Sequence, residues 1–209
     1  MEDGTIMPKV IREDLEEFLG IMDAAVWDSE QHMREVGFRI CREDGNTYTT
    51  KQCMGDACGV SLETCEAGDK TVAGFHTHPW IVEEAHPSPP IIAFLAEKKG
   101  FSSKAAGANL VPSPMDAIVA LVSNEQATCL GNEKGIVCHP MKDIDDMPPR
   151  GKSIAGTAQT LRLRCLIAQR GKSQEGIDAC FRDLDMITSM MGVPEKEWFF
   201  GDEIWLREP

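Results

Sequence analysis

Apolar positions along the chain follow two different spacings, and the places where the spacing changes divide it into elements. Over residues 11–26, Ile11, Leu15, Phe18, Leu19, Met22 and Val26 recur at helical intervals and predict an amphipathic helix. Residues 36–62 change period. Phe38 and Ile40 alternate with polar neighbours, Thr47-Tyr48-Thr49-Thr50 is rich in β-branched and aromatic side chains, and Asp44-Gly45-Asn46 is a turn signal, so this region reads as strands and hairpins. The short run Thr71-Val72-Ala73-Gly74-Phe75 predicts a buried strand. From Pro79 to Pro112 the chain also holds Pro87, Pro89 and Pro90, around one helix candidate at 91–99, and reads as an elaborated loop. Ser113 followed by Pro114 is a helix start, with proline at the first helical position, and that helix is expected to run to about residue 123. Two short strands, 127–130 and 135–138, are predicted around a Gly131-Asn132 turn.

Residues 140–153, with Met147-Pro148-Pro149-Arg150-Gly151-Lys152, have the composition of a linker. Helices are expected at 154–169 and 174–191. The second presents Ile177, Phe181, Leu184, Ile187 and Met191 on one face and stops at Gly192 and Pro194. Trp198, Phe199, Phe200 and Trp205 form an aromatic tail expected to fold back on the domain. The order of elements predicts an α/β domain over 8–140 and a helical C-terminal extension over 154–209.

Composition narrows the function classes. The 209 residues suffice for a core without staples, and 42% hydrophobic content with mean hydropathy −0.24 describes an ordinary globular chain. The longest apolar run, residues 117–122, is far too short to span a bilayer, and the opening Met-Glu-Asp-Gly shows no secretory signal, so no membrane partner is expected. A net charge of −13 argues against nucleic acid, whose binding rests on Lys and Arg neutralising phosphates. The eight cysteines (Cys41, Cys53, Cys58, Cys65, Cys129, Cys138, Cys165 and Cys180) are too sparse for a disulfide scaffold, and buried free thiols in a reduced, cytoplasmic setting are the expectation, with a disulfide as the alternative behind them. Cys53, Cys58 and Cys65 could also form a second metal site, helped by Cys129, Cys138 and His139, although their spacing is not that of a zinc knuckle.

Candidate chemistry gathers at Gly74-Phe75-His76-Thr77-His78-Pro79 and Ser113-Pro114-Met115-Asp116. On an extended strand, residues two apart project to one face, so His76 and His78 can aim both rings at one metal. Asp116 is the first aspartate after His78 and can supply a third ligand, leaving a position open as in catalytic zinc sites. Glu35, where the first helical region hands over to the first strand, can serve as a non-ligand base. Each piece has an ordinary reading as well. The histidines are two neighbouring surface side chains, Ser113 and Asp116 are a capping box, and Glu35 is a solvated residue at a helix end.

Taken together, Glu35, the His76-Thr77-His78-Pro79 motif and Ser113-Pro114-Met115-Asp116 resemble the signature of the JAMM/MPN-plus (JAB/MPN) zinc metalloproteases, over roughly residues 10–140. The resemblance implies a JAB/MPN-type, cytidine-deaminase-like mixed sheet flanked by helices. It implies Zn2+ held by His76, His78 and Asp116, with Glu35 as general base and proton donor and Ser113 as a donor to the oxyanion. Its expected substrate is a ubiquitin-like protein or its conjugates, cut at a peptide or isopeptide bond. The sequence departs from the family in one respect. The serine usually follows His-x-His-Pro after about six residues, where this chain has Ser88, slightly late, with Ile91 in place of the aspartate. Ser113 and Asp116 must therefore be the working pair, which makes 80–112 an active-site insertion; Glu83, Glu84 and His86 lie on it and could reach the metal. A zinc amidase acting on cell-wall peptides or small conjugates, and a non-catalytic MPN scaffold, are the alternatives.

Overall fold

The computed structural model describes residues 12–55, 60–78, 89–171, 173–191 and 195–209. Two helices come first, α1 (Arg12–Glu16) and α2 (Leu19–His32). The single helix expected over 11–26 is thus broken at Glu17 and Phe18 and extends further. The turn lets Leu15, Phe18, Met22, Ala25 and Val26 all enter one apolar cluster; Ile11 lies outside the described residues. Strands β1 (Val36–Glu43) and β2 (Asn46–Thr49) form a hairpin whose turn residues, Asp44 and Gly45, have φ of 45° and 89°. Two consecutive positive φ values make the turn whose twist matches the flanking strands, which is why an Asp-Gly pair stands there. Strand β3 (Cys53–Met54) pairs with the first residues of β1, and β4 (Lys70–Thr77) pairs with β1 along most of its length.

The chain then crosses over through α3 (Pro89–Lys98), α4 (Ser103–Gly107) and α5 (Pro114–Ser123). It returns as β5 (Ala127–Asn132), parallel to β4, and β6 (Gly135–Pro140), antiparallel to β5. The described part of the expected 79–112 loop is therefore largely helical. Trp80, Glu83, Glu84, His86 and Ser88 lie outside the described residues. The turn between β5 and β6 is Glu133-Lys134, not Gly131-Asn132: pairing continues to Asn132 opposite Gly135, and Asn132 Oδ1 accepts the Lys134 N–H at 2.9 Å.

Helices α6 (Pro149–Arg170), α7 (Gln174–Met191) and α8 (Lys196–Phe199) follow, and β7 (Ile204–Arg207) adds to β6. Helix α6 starts inside the stretch that has linker composition, because proline is well tolerated at a helix start, where its missing N–H is no loss. The 154–209 segment is also more than helical, since β7 completes the sheet. Strand order is β2-β1-β4-β5-β6-β7, with β3 beside β2 on β1. The result is a mixed α/β layer structure. One apolar cluster joins α1 and α2 to Phe38, Ile40, Phe75 and Ile136. A second joins α5, α6 and α7 to Trp198, Phe199 and Phe200 of the aromatic tail. No helix among the described residues is long and apolar enough to cross a membrane.

The cysteines depart from the free-thiol expectation. Cys41–Cys65, Cys129–Cys138 and Cys165–Cys180 are disulfides, and among the described residues Cys53 is a free thiol. Tertiary pairing is the reason. Cys129 and Cys138 are direct cross-strand partners, and the helices carrying Cys165 and Cys180 pack together. A second metal site built on Cys53, Cys58 and Cys65 is thereby ruled out as a three-thiolate set, because a disulfide sulfur has no thiolate to offer. Cys58 lies outside the described residues.

Candidate metal centre

The β1–β4 register sets up the site. Phe38 faces Phe75, and Gly37 faces His76. Side chains alternate along a strand, so Phe75 and Thr77 go into the cluster under α2 while His76 and His78 emerge on the opposite face. Thr77 fastens that alternation. Its Oγ1 accepts the Val36 N–H at 2.9 Å and donates to Ser29 Oγ of α2 at 2.7 Å. Gly37 lets the Leu62 side chain and the His76 strand pack closely against β1, since a Cβ there would lie 2.5 Å from Leu62 Cδ2, 2.6 Å from Phe75 O and 3.0 Å from His76 Cβ.

Asp116 arrives on the first turn of α5. Ser113 caps that helix: its Oγ accepts the Asp116 N–H at 3.2 Å, and its own N–H donates to Asp116 Oδ2 at 2.6 Å. The capping box and the ligand reading are therefore one arrangement. The Oδ2 bond to the cap aims Oδ1 at His76 Nε2, 3.3 Å away. His76 Nε2 is in turn 3.1 Å from His78 Nε2, and the three residues place their ligand atoms within 4.8 Å of one another.

Protonation decides what this cluster can hold. His78 Nδ1 lies 3.0 Å from the Asn109 carbonyl, an acceptor that requires the N–H on Nδ1, so the neutral ring carries its lone pair at Nε2. Burial, helped by His78 and opposed by Asp116, lowers the His76 pKa to about 4, so this ring is neutral near pH 7. Burial works to raise the Asp116 carboxyl, yet His76, His78 and the Ser113 bonds together hold it below its ordinary value. The His76 and His78 Nε2 atoms and a carboxylate oxygen of Asp116 converge here. Two imidazoles and a carboxylate are ligand types that zinc takes. The Asn109 carbonyl fills the orienting role that ligating histidines normally find in an outer partner.

Glu35 is half-buried just before β1, on the side of the strand that carries Gly37, and it stands outside the convergent set. Ser113 Oγ, having accepted one hydrogen bond, keeps its own O–H as a donor.

Three features of the site are absent from the sequence reading. Asn109, left-handed at φ 56°, presents the carbonyl that orients His78. Arg39 and Glu125 form a buried ion pair at 3.0 Å on the same face of the sheet. Arg39 also donates to the Leu62 and Glu63 carbonyls and to Ser123 Oγ. The Glu125 carboxylate occupies the space over Gly74, where a Cβ would meet Oε2 at 2.6 Å. Burial raises the Glu125 pKa despite Arg39. One signal was available: Arg39 stands in an apolar strand between Phe38 and Ile40. No protein-family model, no curated protein and no solved structure matches the chain, so its chemistry is argued from these residues.

Proposed function

We propose that this protein is a zinc-dependent peptidase or isopeptidase of JAB/MPN type that removes a ubiquitin-like modifier. The observation that carries the reading is the convergence of His76 Nε2, His78 Nε2 and Asp116 Oδ1, with His78 held in the tautomer a metal ligand needs. Zinc in that site would polarise the scissile carbonyl and make a nearby water acidic, with a pKa of about 7. Glu35 takes the proton from the attacking water and hands it to the leaving amine. Ser113 offers its hydroxyl to the carbonyl oxygen as negative charge develops there. The substrate class comes from the family resemblance, and a net charge of −13 is compatible with a protein substrate.

A second reading, a zinc amidase on cell-wall peptides, is favoured by one observation. Three closed disulfides belong with oxidising surroundings and weigh against the cytoplasmic setting in which ubiquitin-like conjugates are met. Metal analysis of the wild type and of His76→Ala tests the site; zinc bound equally by both would refute it. Parallel cleavage assays on ubiquitin-like fusions and on cell-wall peptides separate the two substrate classes. Cleavage of neither by the zinc-loaded protein would leave the scaffold reading.

A further inference from the structure

We infer that Asn132 and His139 are positioning residues for His78, acting through the backbone of residues 108–110; this rests on the metal-site reading above. The first three residues after α4, 108–110, have their N–H groups turned back onto that helix. Ala108 N donates to Lys104 O at 3.1 Å, Asn109 N to Ala106 O at 3.2 Å, and Leu110 N to Ala105 O at 2.9 Å. Their three carbonyls all face the sheet, and each accepts from a different strand or strand end. Ala108 O accepts from Asn132 Nδ2 at 2.7 Å, Asn109 O from His78 Nδ1 at 3.0 Å, and Leu110 O from His139 Nε2 at 2.9 Å. The carbonyl that sets the His78 tautomer is thus flanked on both sides by carbonyls pinned by buried side chains.

Both pins are themselves held. Asn132 is 1% exposed, accepts the Lys134 N–H on Oδ1, and receives Arg207 on its backbone carbonyl. His139 is fully buried, with the Phe101 and Phe200 rings edge-on at 5.7 and 5.9 Å. Burial lowers its pKa to about 4, so near pH 7 it is a neutral ring, and the bond to Leu110 O fixes its proton on Nε2. Asn109 sits in the left-handed region at the end of α4, a position asparagine commonly takes, and the Asn109 N–H to Ala106 O and Leu110 N–H to Ala105 O bonds close that helix end. The cap holds the N–H side of the segment, and Asn132 and His139 hold its carbonyl side. Releasing either flank lets the Asn109 carbonyl move off the His78 ring. The Nδ1–H tautomer then loses its preference, and Nε2 is a lone-pair donor for only part of the time. Groups that bond a ligating histidine directly typically change metal affinity about 10- to 100-fold when removed, and groups one step further out act within that bound.

A merely structural role would change stability alone, so the test reads the tautomer. Long-range proton–nitrogen correlation spectra of zinc-free protein report whether His78 carries its proton on Nδ1, and competition with a chromophoric chelator gives zinc affinity. In the wild type the Nδ1–H form is expected. His139→Phe removes the donor at similar size, and Asn132→Asp removes the Nδ2 donor while keeping the acceptor for Lys134. Both are expected to give mixed tautomers and zinc binding weaker by up to roughly 10-fold, the low end for a direct orienting partner, with His139→Gln recovering most of the loss. If His139→Phe does not fold, Asn132→Asp decides. A folded variant with the wild-type tautomer and wild-type zinc affinity overturns the inference, as does a wild type with its proton on Nε2. Wild-type protein that shows the Nδ1–H tautomer and its loss in the variants, yet binds no zinc, sinks the peptidase reading while the positioning role survives.

Discussion

Glu35 and the Arg39–Glu125 pair show how differently charged side chains behave at one sheet face. Glu35 is half-buried and outside the ligand set, so Glu35→Gln should keep its zinc and lose cleavage by about 10²- to 10⁴-fold, the usual worth of a positioned general base. A variant that holds zinc and cleaves at the wild-type rate removes Glu35 from the mechanism. Arg39 and Glu125 are only 4% and 3% exposed, and neither can find water if its partner is lost. Glu125→Leu should cost about 3–5 kcal/mol in urea unfolding, because it strands a buried guanidinium. The double change Arg39→Met with Glu125→Leu should recover much of that loss, since an apolar pair of similar volume needs no counter-charge. A double-variant loss equal to the sum of the two single-variant losses would show that the residues are not coupled.

Helix α5 puts structure and proposed chemistry on the same atoms. Ser113 caps it, Pro114 starts it, and Asp116 both closes the capping box and faces His76. Two substitutions separate the roles of Ser113. Ser113→Ala should lower stability by about 1 kcal/mol, the typical value of an N-cap, whereas glycine at that position costs only a few tenths. Both remove the hydroxyl. If Ser113 donates to the developing oxyanion, both should slow cleavage by about 10²- to 10³-fold. A Ser113→Gly protein with unchanged rate would leave the serine a cap and nothing more. The helix start was legible from Ser113-Pro114-Met115-Asp116 because capping is local chemistry. The start of α6 at Pro149 was not, since Pro148-Pro149 reads equally as a linker until packing against α8 is known; a Cβ on Gly151 would lie 2.7 Å from Trp198 O.

Across the whole molecule, buried histidines tie stability to pH. His76 and His139 both have pKa values lowered from 6.5 to about 4. Below pH 6.5 the unfolded chain takes up protons that the folded chain refuses, so the unfolded state gains. Zinc-free protein should therefore be most stable above pH 6.5 and lose stability steadily as pH falls toward 4, by at most roughly 3 kcal/mol per histidine. Denaturant midpoints across that range check it, and His139→Gln should flatten part of the slope. The bridges act at this scale too. Cys165–Cys180 closes a separation of 15 residues between α6 and α7, which loop entropy values at about 3 kcal/mol. Thermal unfolding should shift down when that bridge is replaced by two serines, and an unchanged midpoint would show that helix packing alone holds the pair.

Local signals carried the sequence reading where it held. Alternation identified β1, a short apolar run identified β4, the Asp44-Gly45 pair marked the hairpin, and i, i+2 geometry on a strand sent His76 and His78 to one face. Each of these depends on neighbours within a few residues, so the sequence by itself determined the mixed α/β class and the candidate ligands. Contacts between residues far apart in the chain could only be decided by the tertiary structure. Parallel placement of β5 beside β4 brings Asn132 and His139 to the 108–110 segment, and β7 reaches the sheet from the end of what looked like a helical tail. Which cysteines pair depends on the register of β5 with β6 and the packing of α6 on α7. The His78 tautomer depends on a carbonyl 31 residues away, and no periodicity records a carbonyl.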